Sequence, residues 1–138
     1  MNEEAHERQH IAAVLEQYRL GFATAQRATL TAIWDQDYDT IIYIALERAE
    51  PLRGWAAVEH YYTRVLAQFV GHNSMTISDL VIDIAGDLAY AFCSFHFEGQ
   101  VTGHDAPRIA DGRTTFVLHR KAAMWRVIHY HESRRGSF

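Results

Sequence analysis

From Gly112 to Ser133 the chain reads Gly-Arg-Thr-Thr-Phe-Val-Leu-His-Arg-Lys-Ala-Ala-Met-Trp-Arg-Val-Ile-His-Tyr-His-Glu-Ser. Two runs rich in β-branched and aromatic residues, about Gly112 to Arg120 and about Met124 to Ser133, flank the short polar segment Lys121-Ala122-Ala123. That pattern predicts a hairpin of two antiparallel strands. Upstream, the same two-residue period predicts strands over about Leu88 to Gly99 and Met75 to Ile84, joined by a turn at Gly86-Asp87. The segment from Gln100 to Asp111, with Gly103 and Pro107, reads as a loop.

Before Gly71 the period changes. Trp55, Val58, Tyr62, Val65, Leu66 and Phe69 share one helical face, so a helix is expected over about Trp55 to Phe69. Pro51-Leu52-Arg53-Gly54 breaks the chain ahead of it, after a strand expected over Thr40 to Leu46. Asp35 to Asp39 reads as a polar turn. A short helix capped by Thr29 would present Leu30, Ile33 and Trp34. The first helix, about Glu4 to Ala25, carries Ile11, Val14, Leu15, Tyr18 and Phe22 as an apolar stripe. Helices followed by an antiparallel run indicate the α+β class, with the helices packed on one face of the sheet.

The composition fits one globular domain over residues 1–138. There are 138 residues, 49% hydrophobic and 22% charged, enough to bury roughly 70% of the unfolded surface without disulfide or metal. No apolar stretch approaches the ~20 residues of a spanning helix, so no membrane association is expected. The formal net charge is -4 and the basic residues are dispersed, which argues against nucleic-acid binding. The acidic, polar start does not read as a secretory signal. The single cysteine, Cys93, sits in an apolar run, which suggests an inert thiol in a reducing, cytoplasmic compartment. No Walker sequence, dinucleotide fingerprint or nucleophile elbow occurs, and no cofactor is expected.

Four stretches in order carry a family resemblance: Val14-Leu15-Glu16-Gln17-Tyr18, Glu50-Pro51-Leu52-Arg53-Gly54 leading into Ala57 to Tyr62, Gly86 to Tyr90, and the C-terminal pair Gly112 to Val117 with Trp125 to Ser133. Together they resemble the SnoaL-like, nuclear transport factor 2-like (ketosteroid isomerase-like) superfamily. The final pair is most similar to the SnoaL-like branch that also holds the association domain of calmodulin-dependent kinase. The resemblance implies a cone-shaped, curved, antiparallel-rich mixed sheet. Three helices from the N-terminal half would pack on its concave face around an apolar pocket, and a homodimer would form through the outer face. Fold alone does not fix the activity, because this scaffold serves isomerases, hydratases, cyclases and subunits with no chemistry.

Placing the last strand by that resemblance turns Ile128, Tyr130 and Glu132 inward. Trp125, Val127, His129, His131 and Ser133 then face outward. The preceding strands would send Thr114, Phe116 and Leu118, and Tyr90, Phe92, Ser94, His96 and Glu98, into the pocket. His96 and Glu132 are the candidate acid–base pair, since a desolvated carboxylate needs a partner or a proton. Tyr18, Trp34, Tyr43, Tyr62, Phe92, His96, Phe116, Tyr130 and Glu132 are the candidate ligand-binding residues for a small apolar or cyclic organic molecule. Arg113, Thr115, Trp125, His129 and His131 are assigned to the dimer interface. His129 and His131 also carry an alternative reading as a metal pair, which would need His119 or another strand for a third ligand.

Tyr18 occupies the first-helix context of the ketosteroid isomerase oxyanion-hole tyrosine. That family's base is an aspartate on the first strand, where Ile42 to Glu47 here offers only Glu47 as a carboxylate. Its second oxyanion donor is a protonated aspartate on the penultimate strand, where this chain has Arg113-Thr114. Steroid isomerisation is therefore not expected. Two readings remain: a small-molecule-binding SnoaL-like domain of unassigned activity, or an isomerase-, hydratase- or cyclase-type enzyme in which pocket His, Glu and Tyr side chains move a proton.

Overall fold

A computed structural model describes residues 2–136. Helix α1 (Glu3–Ala23) begins at Asn2, whose side-chain oxygen accepts the Ala5 amide at 2.8 Å. Glu3 and Glu4 in the first turn suit the positive end of the helix dipole. The helix buries Ile11, Leu15, Tyr18, Gly21 and Phe22. Helix α2 (Arg27–Thr31) follows after Ala25, which takes a left-handed φ of 53°. Its N-cap is Gln26, so Thr29 lies inside the helix rather than capping it. Leu30 of this helix packs directly on Gly21, where a Cβ would stand 2.5 Å from Leu30 Cδ2. The third helix, α3 (Trp55–Leu66), buries Val58, Tyr61, Tyr62, Val65 and Leu66 and ends three residues before Phe69. Among the described residues, no helix is long and apolar enough to cross a membrane.

The strands are β1 (Ile42–Ile44), β2 (Leu52–Arg53), β3 (Ser74–Ala85), β4 (Leu88–Gly99), β5 (Arg108–Lys121) and β6 (Met124–Arg134). They form one six-stranded mixed sheet in the order β2-β1-β6-β5-β4-β3. Only β1 and β6 run parallel among these neighbours. The sheet does not close, and the arrangement is the α+β cone. Two differences from the sequence reading have local causes. Leu52-Arg53, read as a break, adds a short edge strand beside β1. Arg108 to Asp111, read as loop, continues the ladder with β4 up to Gly99. Gly112 lies inside β5, where a Cβ would meet the Phe95 ring and Ser133 O at 2.8 Å. The β5–β6 hairpin turns on Ala122 and Ala123, both left-handed, at φ 52° and 64°. That conformation costs about 1–2 kcal/mol per L-residue.

The core lies between the helices and one sheet face, and it corrects two facings. In β4 the inward residues are Ala89, Ala91, Cys93, Phe95 and Phe97. Phe92 and His96, expected inside with Tyr90, Ser94 and Glu98, therefore fall on the opposite face. The core side of β4 runs from small Ala89, Ala91 and Cys93 to Phe95 and Phe97, while Tyr90, Phe92 and His96 lie on the outer face, so aromatics occur on both sides and residue size does not mark the buried one. In β6 the register shifts by one between Val117 and Leu118, leaving Ile128 without a partner. This bulge exchanges the two faces on either side of it. Trp125 and Val127 consequently join Tyr130 in the core, whereas His129 and His131 stay outside. Trp125 is thus not on the outer face: its indole N–H donates to Glu7 Oε2 at 2.6 Å.

Candidate functional site

A cavity of about 580 Å³ opens between α1, α3 and the sheet. Its apolar wall includes Phe22 from α1, Val65 from α3, Met75 from β3, and Phe95 and Phe97 from β4. Polar groups also line it. Glu132 comes from near the end of β6, Glu47 from the turn after β1, and Tyr18 and Tyr61 from the two long helices.

Glu132 reaches the cavity because the Ile128 bulge keeps Tyr130 and Glu132 on the core face. The Leu46 amide donates to its Oε1 at 2.9 Å, and the Tyr130 hydroxyl donates to its Oε2. Tyr18 in turn donates to the Tyr130 oxygen at 2.6 Å. The result is a relay from helix to strand that ends on one carboxylate. Burial pushes the Glu132 carboxyl up to about 7. The bonds from Tyr130 and Leu46 pull it down, and the nearby Glu47 carboxylate adds to the rise. Tyr18, Tyr43 and Tyr130 are driven far above the ordinary phenol range, chiefly by desolvation, so they remain protonated donors. Tyr61 donates to Glu47 Oε2 at 2.5 Å.

Behind this line stands a second aromatic layer. Tyr43 stacks on Tyr130 with ring centroids 4.3 Å apart, and Phe116 meets Tyr18 and Tyr130 edge-on. Trp34 Nε1 donates to the Tyr62 hydroxyl at 3.0 Å. All of these side chains are buried. They lock the rotamers of Tyr18 and Tyr130 and give Glu132 a fixed seat.

Of the residues expected to form a ligand site, Tyr18 and Glu132 line the cavity. Tyr130 touches Glu132 from behind, and Trp34, Tyr43, Tyr62 and Phe116 form the supporting layer. Phe92 and His96 are elsewhere. His96 pairs with Asp111 at 2.7 Å and with Glu98 at 3.6 Å on the outer side, and the Asp111 bond raises its pKa. The fold therefore does not bring His96 and Glu132 together. The proton of Tyr18 is directed at Tyr130, so the relay uses the donor that an oxyanion-hole role would require.

On the outer face the His129 and His131 rings lie 6.3 Å apart. Burial and the charge of His131 lower the His129 pKa. Their face also carries Arg113 and Thr115, in rows that run Phe92–Thr115–His131–Ile44 and Tyr90–Val117–His129–Ile42. His119 is committed to Asp35, its Nε2 lying 2.7 Å from Asp35 Oδ2, and so is not a third ligand for the pair. Among the described residues no three His, Cys, Asp or Glu side chains converge as a metal site.

Sequence reasoning missed the Leu46 amide, the buried Asp35 cluster, and the arginines that border the cavity: Arg48, Arg64, Arg108 and Arg134. Each of these arginines sits in a separate element, and no local motif links them.

The comparisons agree with this architecture. The chain superimposes on a nuclear transport factor 2-like family protein from Streptomyces avermitilis, described as a candidate dehydratase, with a TM-score of 0.84 at 14% identity, covering 96% of this chain and 99% of that one. A nuclear transport factor 2-like superfamily protein from Salmonella enterica serovar Typhimurium gives a TM-score of 0.84 at 17% identity, covering 97% and 94%. A hexachlorocyclohexane dehydrochlorinase (LinA, type 2) gives 0.81 at 13% identity, covering 96% and 88%. At these identities the likeness is one of fold. No curated protein matches the chain. The SnoaL-like domain profile matches residues 11–135, nearly the whole chain, and the protein belongs to the SnoaL-like domain family.

Proposed function

We propose that the cavity binds a small organic molecule and that Glu132 moves a proton on it, in chemistry of the isomerase, hydratase or cyclase kind. One observation carries the reading: the Glu132 carboxylate, raised to about 7, is held by a phenol relay at the wall of a cavity that also has an apolar, aromatic side. A base with a pKa near the working pH combines a usable ionised fraction with a strong drive to accept the proton. Ionised Glu132 would take a proton from carbon next to a carbonyl. The C–H electron pair becomes a new C=C bond while the carbonyl π pair moves onto oxygen as an enolate, and return of the proton to another carbon completes an isomerisation without a co-reactant. Tyr130 and Tyr18 are positioning residues, fixing the carboxylate and stabilising its ionised form. The apolar volume left open by the core aromatics favours this reading over a vestigial, filled pocket.

Deuterium exchange into a panel of small cyclic and aryl ketones, followed by NMR, tests it. The wild-type protein should accelerate exchange of at least one, with a pH profile inflecting near 7. Glu132→Gln should lower the rate by about 100-fold or more. No acceleration over buffer, or an unaffected variant, would overturn the assignment.

The outer sheet face is proposed as a homodimer surface. Val81, Leu88 and Tyr90 are 51%, 52% and 43% exposed there, beside Val117, His129 and His131. Exposed apolar side chains on this face favour self-association over solvent. A His129→Ala, His131→Ala double variant should weaken the dimer in sedimentation equilibrium by about tenfold; a wild-type monomer would refute the surface.

A further inference from the structure

The charge distribution around the cavity is not that of the protein as a whole. The chain carries a formal net charge of -4, with 13 basic residues dispersed along it. Yet Arg48, Arg64, Arg108 and Arg134 all border the one cavity that holds Glu132. They arrive from four places: the turn after β1, the last turn of α3, the first residue of β5 and the last residue of β6. Arg64 also faces the negative end of its helix dipole. That explains one arginine but not the convergence of the other three.

The anionic groups at the same rim are already engaged. Asp111 bonds His96, and Glu47 accepts the Tyr61 hydroxyl. Arg108 donates to the neutral Gln68 side chain at 2.8 Å and lies over the Phe69 ring. Arg48, Arg64 and Arg134 make no side-chain hydrogen bond or ion pair with the described residues. The cavity is therefore apolar and aromatic in its depth and carries guanidinium groups, free of carboxylate partners, at its mouth. An amphipathic anion matches both halves: the hydrocarbon or aryl body lies against Phe22, Phe95 and Phe97, and the head group meets the arginines. Guanidinium forks suit a planar carboxylate in two-point contact.

We propose that the arginine-bordered mouth of the cavity selects organic carboxylates, so that the molecule presented to Glu132 is an aryl or alkyl acid held by its carboxylate at the rim. This deepens the reading of the cavity as a binding site and rests on it.

The test uses the intact protein and matched probes: phenylacetate, cinnamate and octanoate, each paired with its neutral amide, titrated by calorimetry at low salt. At least one carboxylate should bind about tenfold tighter than its amide, and added salt should reduce the margin. In an Arg64→Gln, Arg134→Gln double variant the margin should collapse while amide affinity stays. Both residues are exposed, so the fold should tolerate the change; thermal unfolding checks this. Glu132→Gln should preserve the carboxylate preference, which separates the rim from the base. Equal binding of acid and amide overturns the rim assignment alone, leaving the cavity and its base standing. Failure of every carboxylate to bind up to millimolar concentration overturns it too. A preference that survives in the arginine variants shows that other groups hold the anion and rejects this rim.

Discussion

Two largely buried carboxylates in this small domain are pushed in opposite directions. Glu132 is enclosed by neutral donors, the Tyr130 hydroxyl and the Leu46 amide, and burial wins: its pKa rises to about 7. Asp35, 5% exposed, sits at the other pole of chemistry. It accepts from His119 Nε2 at 2.7 Å, Lys121 Nζ at 3.3 Å and the Asp37 amide at 3.2 Å. Burial alone would raise Asp35 as well, but the bonds from His119, Lys121 and the Asp37 amide outweigh it and hold the group below the usual range. At Glu132 desolvation outweighs two neutral donors; at Asp35 the bonds from His119, Lys121 and the Asp37 amide together outweigh desolvation. One carboxylate is a permanent anion tying the chain before β1 to the end of β5. The other is poised to change its charge. The poised one faces the cavity.

The largest expected effect comes from the anion. Asp35→Ala leaves His119 and Lys121 without their common acceptor and should cost about 2–3 kcal/mol near pH 7, measured by urea unfolding. The folded pKa is depressed, so this stability is present above the unfolded value of 3.8 and is lost as pH falls through the folded one. The gap between wild type and variant should therefore close in acid. A variant as stable as wild type at pH 7 would break the comparison at its stronger end.

Glu132 should behave with the opposite sign. Its folded pKa lies above the unfolded 4.5, so the folded state holds the extra proton between about 4.5 and 7, and stability falls as pH rises through that window. Glu132→Gln removes the dependence. Above pH 7 the variant should be the more stable protein, by about 2 kcal/mol once partial solvent access trims the full linkage value. Denaturation curves from pH 4 to 9 check this. A variant destabilised equally across the range would mean that Glu132 carries its charge without penalty.

Much of this architecture is legible in the residues, and the losses have physical causes. The β5–β6 pair could be read from Thr114, Phe116 and Leu118 because their alternation is uninterrupted. Trp125 could not, because a bulge at Ile128 leaves no mark in composition yet reverses every facing before it. The facing of His96 is not legible because β4 offers apolar and aromatic residues on both faces, and only the folded sheet selects the face with Ala89 and Ala91 for the core. Glu132 was legible because it lies on the near side of the bulge, in phase with Tyr130. The phenol relay was half legible: Tyr18 and Tyr130 could be named, but their meeting across 112 positions is a product of the fold. The arginine rim was invisible for the same reason, as was Asp35, whose surroundings Asp37 and Asp39 read as a solvated turn.

The smallest effect probes the relay itself. Tyr130 donates directly to Glu132 and so favours its ionised form. Tyr130→Phe should therefore move the Glu132 midpoint further above about 7, by about one pH unit, as read from its side-chain carboxyl carbon by NMR titration. Tyr18 acts only through Tyr130: by donating into that oxygen it strengthens the O–H that Glu132 receives. Cooperative strengthening of this kind is a fraction of one hydrogen bond. Tyr18→Phe should thus shift Glu132 in the same direction by about 0.3 of a pH unit. Equal shifts in the two variants would place Tyr18 in direct contact with the carboxylate and dissolve the relay. A downward shift in either would mean that the phenols favour the protonated acid, and the contrast with Asp35 would then rest on burial alone.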